Sequence, residues 1–191
     1  MTDNPSRAGL LIIDMINDMR FDGGSQMLAA ATSAASAIAA LQRDARRSGV
    51  PVLYVNDNTG NWHGTRQDLI AHATGDGSPG AEIVAILDPR DEDYVVIKPH
   101  FSGFYASNLP ALLPRLGIQR LVLTGLAADI CVLFTAADAH MREYDLWVPT
   151  DAVASESPER RDWALNIMEH SMNANVTATG DLSLQQWIDG Q

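Results

Sequence analysis

With one cysteine, Cys131, in 191 residues, the chain can form no internal disulfide, and its fold must rest on a hydrophobic core. Cations are scarce as well. Thirteen lysines and arginines stand against 24 aspartates and glutamates, a formal net charge of -11, and no cluster of them offers the basic patch that a nucleic-acid backbone requires. No apolar run approaches the roughly 18 residues of a membrane-spanning helix, and residues 1–8 lack the charged-then-apolar design of a secretory leader. The expectation is a soluble, cytosolic protein with no nucleic-acid or membrane partner. Internal repeats, low-complexity linkers, a Gly-rich phosphate loop and a zinc-type Cys/His cluster are all missing, which sets those classes of chemistry aside.

What is present is ordinary for a globular chain: 46% hydrophobic and 19% charged residues, consistent with one domain over residues 1–191. Short β-rich apolar runs alternate with longer Ala/Leu-rich stretches. Strands are predicted at 9–14 (GLLIID), 50–56 (VPVLYVN), 94–98 (YVVIK), 120–124 (RLVLT), 145–149 (DLWVP) and 175–178. Helices are predicted at 26–47 behind Ser25, 108–116 behind Ser107, 130–142 behind the turn at Gly125, and 158–170 with Ser157 as N-cap and Pro158 at the first helical position. The alternation implies an α/β fold in three layers, α-β-α, around a mostly parallel six-stranded sheet. The first four runs lack polar alternation, as strands covered on both faces do. Residues 57–80, rich in Gly, Asn, Asp and Thr, read as a long connection with a short helix at 66–73, and long connections are where function concentrates.

Ligands of an open parallel sheet bind beyond the carboxyl ends of its strands. Three residues fall there: Asp14 closes GLLIID, Lys98 closes YVVIK, and Cys131 opens the helix after RLVLTG. Each has a plainer reading. Asp14 suits a turn or a cap, Lys98 could reach solvent, and a lone cysteine is commonly a buried small hydrophobe. Taken together they have a mechanism. A thiol at a helix N-terminus beside an ammonium is expected to have a lowered pKa, and a neighbouring carboxylate can take its proton and return it to a leaving group.

The segments LLIIDMINDM (10–19), VVIKPHFSGFYASNLPALLPRLGIQRLVLTGLAADICVLFTAADA (95–139) and WVPTDAVAS (147–155) closely resemble the isochorismatase-like cysteine hydrolases, a group that includes nicotinamidases, N-carbamoylsarcosine amidase and ureidoacrylate amidohydrolases. The resemblance spans nearly the whole chain. It implies an isochorismatase-like (Rossmann-like) fold and catalytic roles for Asp14, Lys98 and Cys131. It also implies a cis peptide bond between Leu126 and Ala127, aiming the Ala127 and Cys131 N–H groups into an oxyanion hole. Relatives of this kind imply a homo-dimer or homo-tetramer acting on a small molecule.

Two departures narrow the activity. The nicotinamidases carry a metal on an Asp-Trp-His sequence after the second strand, where this chain reads Asp57-Asn58-Thr59; His63 and His72 lack that companion ligand, so no metal and no cofactor is expected. Isochorismatases proper lack the cysteine, whereas Cys131 is present, so cleavage of a C–N bond in an amide, ureido or carbamoyl compound is expected. Vinyl ether hydrolysis and a non-catalytic interaction role are the alternatives. Candidate substrate contacts are Asn17, Phe21, Asn58, Trp62, Phe104 and Tyr105, although aromatics at such points serve equally as core or interface residues.

Overall fold

Six consecutive buried residues form β1 (Ala8–Ile13), the central strand of a computed structural model that describes residues 8–61 and 63–190. β2 (Val52–Asp57) and β4 (Arg120–Gly125) pair with it in parallel on either side. β3 (Tyr94–Lys98) lies beyond β2 and β5 (Asp145–Trp147) beyond β4, giving the order β3-β2-β1-β4-β5. The strand order reverses between β1 and β4, and this is the place where doubly wound sheets open a ligand crevice.

The sheet has five strands, not the expected six. Asn175 makes an isolated parallel bridge to Trp147, and the run then stops, because the Asn175 side chain accepts the Thr177 N–H at 2.8 Å and folds the chain into a turn. The indole of Trp147 donates to the Thr177 carbonyl at 2.8 Å, where a ladder bond would otherwise have run.

Alternation along β1 divides the core. Leu10 and Ile12 join a cluster beneath α1 (Gly24–Arg47), while Leu11 and Ile13 join the cluster on the other face. Each such fully buried side chain contributes about 1.5–3 kcal/mol. β3 is an edge strand and shows it: Tyr94 is exposed while Val96 and Lys98 are buried. The N-cap of α1 is Gly23 at φ 88 and not Ser25, whose hydroxyl is spent on Gln26.

α2 (Arg66–Ala73) keeps its predicted limits because Thr65 and Asp68 form a reciprocal capping box. α3 (Ala81–Leu87), α4 (Leu109–Arg115) and α5 (Leu133–His140) follow. α6 (Pro158–Met172) begins as predicted on Ser157, and α7 (Leu184–Asp189) on Ser183. Among the described residues no helix is long and apolar enough to cross a membrane.

Candidate active site

Three chain segments converge at the carboxyl edge of the sheet. As β1 ends, Asp14 takes a left-handed backbone conformation (φ 52) and its N–H donates to the Val55 carbonyl at 3.0 Å. Gly125, at the end of β4, has φ 108, and a Cβ there would come within 2.1 Å of the Ile13 carbonyl; only glycine lets the two strand ends approach this closely. Lys98, the last residue of β3, stands in register with Asp57 of β2.

The three candidate side chains meet. Lys98 Nζ lies 2.8 Å from Asp14 Oδ2 and donates to Cys131 Sγ at 3.5 Å, while the Asp57 N–H donates to Asp14 Oδ1 at 2.7 Å. Burial pushes the Asp14 carboxyl above its usual value, against the opposing pull of the Lys98 ammonium and the hydrogen bond from Cys131. Burial also works against a charged Lys98, but Asp14, Cys131 and Asp57 together outweigh it and hold that group above its usual value. The Cys131 thiol is pushed up to about 12, first by burial and then by the Asp14 charge, with Lys98 opposing. This overturns the expected low-pKa thiolate: the desolvation of a thiol beside a carboxylate exceeds what one shared ammonium returns. The resting group is a thiol in contact with a base.

The turn bearing Cys131 is a π-helical turn (Ala128–Val132), not the start of the predicted helix at 130–142. Val132 N–H reaches back to the Ala127 carbonyl at 3.1 Å, and such single wide turns recur at functional sites. Two tethers fix it. The Thr135 hydroxyl donates to the Cys131 carbonyl at 2.6 Å and accepts the Gly103 N–H at 2.9 Å. Asp129 accepts from the Ser155 hydroxyl at 2.6 Å and from the Arg160 guanidinium, also at 2.6 Å, which joins the turn to the start of α6.

The Leu126–Ala127 bond is trans, and no peptide bond among the described residues is cis, which corrects the expectation. Leu126 N–H donates to Ile13 O at 2.9 Å and Ala128 N–H to Ala154 O at 2.8 Å. With Ala127 extended between them (φ -79, ψ 141), both bonds form without the ~3–4 kcal/mol of a non-proline cis link. No acceptor among the described residues takes the Ala127 N–H, and both Ala127 and Cys131 line the adjoining cavity.

That cavity measures about 640 Å³. Asn17 and Phe21 line it, as expected, Asn17 also accepting the Met19 N–H at 2.7 Å. The other candidates are elsewhere. Asn58 is buried beside it and lines a smaller neighbouring cavity. Phe104 is a core residue stacked under Arg142, whose guanidinium carbon lies 4.8 Å from the ring centroid. Tyr105 is exposed and edge-on to His100, and Trp62 lies outside the described residues. Phe101, Met27, Leu126 and Ile130 supply the apolar wall in their place. Phe101 belongs to the same F-S-G-F turn as Phe104, the turn that Thr135 holds through the Gly103 N–H. As to a metal, His72 pairs with Asp18 at 3.3 Å, and no group of three or more His, Cys, Asp or Glu among the described residues is placed to hold an ion; the donor set does not fit one.

The family described as Isochorismatase domain matches residues 8–181. The chain is 39% identical over 168 residues to the uncharacterized isochorismatase family protein YaaI of Bacillus subtilis, covering 88% of this chain and 92% of that one. It is 31% identical over 180 residues to the ureidoacrylate amidohydrolase RutB of Serratia proteamaculans, covering 81% and 73%. Among solved structures it resembles N-carbamoylsarcosine amidase from Thermoplasma acidophilum with a TM-score of 0.68 and 30% identity, covering 93% of this chain and 99% of that one. A parallel sheet flanked by helices, an Asp, a Lys and a Cys at its carboxyl edge, and a match over nearly the whole length agree: the chain belongs to the isochorismatase family.

Proposed function

We propose that the chain is a cysteine amidohydrolase that cleaves a C–N bond of a small amide, ureido or carbamoyl compound through a thioester. The observation that carries this reading is the meeting of Asp14, Lys98 and Cys131, with Asp14 and Cys131 lining one cavity and Lys98 buried behind them; relatives named as amidohydrolase and amidase support it.

As Sγ attacks the carbonyl carbon, its proton passes to Asp14, and the developing oxyanion is met by the Ala127 and Cys131 N–H groups. The C–N bond breaks as Asp14 returns the proton to the departing nitrogen. Water then adds to the thioester, giving its proton to Asp14, and the C–S bond breaks as that proton returns to Sγ. Lys98 keeps Asp14 ionised between steps and offsets charge on sulfur. The reading extends to a cytosolic homo-oligomer; association is supported by the exposed Met141, just after α5, and by Trp163 and Ile167 of α6.

Ammonia release from a panel of small amides, ureido acids and carbamoyl amino acids tests the proposal, after exhaustive chelation and in comparison with Cys131→Ala. Release that survives chelation and is lost in the variant supports the thioester route. Ammonia release that persists in Cys131→Ala refutes the nucleophile and the thioester; a panel that releases none but a vinyl ether that is cleaved moves the reading to vinyl ether hydrolysis.

A further inference from the structure

The polar residues of the cavity are unevenly charged. Asp14, Asp18 and Asp57 line it against Arg20, with His72 set 3.3 Å from Asp18, and the Lys98 charge is already held by Asp14. Arg20 is exposed and anchored through one nitrogen to the carbonyls of Asp76 at 3.2 Å and Gly77 at 3.0 Å, on the turn between α2 and α3. A guanidinium so placed in water does little for an anion at the reacting centre.

Asp57 is close to that centre, since its N–H holds Asp14. One of its oxygens accepts the Thr59 N–H at 2.7 Å, and among the described residues no donor meets the other. A free carboxylate oxygen beside the nucleophile accepts the N–H of an amide and repels a second carboxylate. The apolar part of the wall, from Phe21, Met27, Phe101 and Ile130, matches an apolar body.

We propose that this cavity selects an uncharged carboxamide or ureide with an apolar body, held by Asp57 through its N–H groups, and disfavours compounds with a carboxylate beside the scissile bond. The inference rests on the amidohydrolase reading, whose site it describes.

Because Cys131 is the sole cysteine, thiol alkylation reads this cavity alone. Iodoacetamide and iodoacetate have the same reach and differ in presenting a carboxamide or a carboxylate. The rate ratio of iodoacetamide to iodoacetate at Cys131, divided by the same ratio for a small free thiol at the same pH, is expected to be about ten or more. It should fall towards one in Asp57→Asn and, less steeply, in Asp18→Asn. A wild-type ratio of one or below overturns the inference without recourse to any variant, as does a high ratio unmoved by both substitutions. Alkylation needs no turnover, so this failure is distinct from that of the hydrolase reading, which would show as absent ammonia release from a chain that still labels selectively.

Discussion

Lys98 Nζ lies 2.8 Å from Asp14 Oδ2 in a buried pair, with the Lys98 side chain 0% exposed and that of Asp14 10%. Removing one partner of such a pair costs about 3–5 kcal/mol, because the remaining charge is left buried and alone. Lys98→Met should therefore lower the thermal midpoint by roughly 10 °C in a domain of this size, besides abolishing activity. The double variant Asp14→Asn, Lys98→Met should recover much of the lost stability and none of the activity. Thermal unfolding followed by circular dichroism separates the cases; a single variant as stable as the wild type would mean that the pair is not desolvated as described.

On the thioester route proposed above, the raised pKa of Asp14 sets the acid limb of activity. Asp14 must be ionised to take the thiol proton, so kcat/KM should fall as pH drops through its pKa. Since burial raises that pKa, the fall should begin above the ordinary carboxylate range near ~4. The thiol, at about 12, contributes no inflection near neutrality. A profile of kcat/KM against pH with an acid limb at or below the ordinary value, or a thiolate absorbance at neutral pH, would contradict the coupling described. Asp14→Asn should remove the limb along with the activity.

How much of this was legible in the sequence follows from what each feature depends on. The body of β1, the whole of β3 and the start of α6 are readable, because continuous apolar runs and a Ser-Pro cap are local signals. So is the meeting of Asp14, Lys98 and Cys131, because the strand order of a parallel sheet brings strand ends together whatever their separation in the chain. The sixth strand failed on one side chain, Asn175 folding back on Thr177. The state of Cys131 was misread because helix position and a nearby lysine are visible in a sequence, whereas the depth of burial that outweighs them is not. Which phenylalanine of the F-S-G-F turn faces the cavity is likewise invisible in the sequence: it is Phe101, on a turn held by a hydroxyl on α5. The capping box at Ser183 and Gln186 that starts α7 is a local sequence signal that the strand and helix pattern above does not include.

That hydroxyl supports the last prediction. Thr135 is fully buried, and its oxygen serves two masters, the Cys131 carbonyl at 2.6 Å and the Gly103 N–H at 2.9 Å. It thereby fixes the nucleophile turn to the turn that carries Phe101. Thr135→Val keeps the shape and removes both bonds, leaving a buried N–H unpaired at a cost of about 1–3 kcal/mol. Displacement of the nucleophile by even a fraction of an ångström should lower kcat tenfold or more, since about 1 Å can cost a hundredfold. Thr135→Ser keeps both bonds and loses one methyl, so its destabilisation should be about 1 kcal/mol and its kcat within a few-fold of wild type. Measuring kcat, KM and thermal stability for the pair distinguishes a tether from simple packing. If only Ser loses activity, the methyl matters and the hydroxyl does not; if only Val does, the hydrogen-bonded link between Cys131 and Gly103 is what holds the sulfur in place.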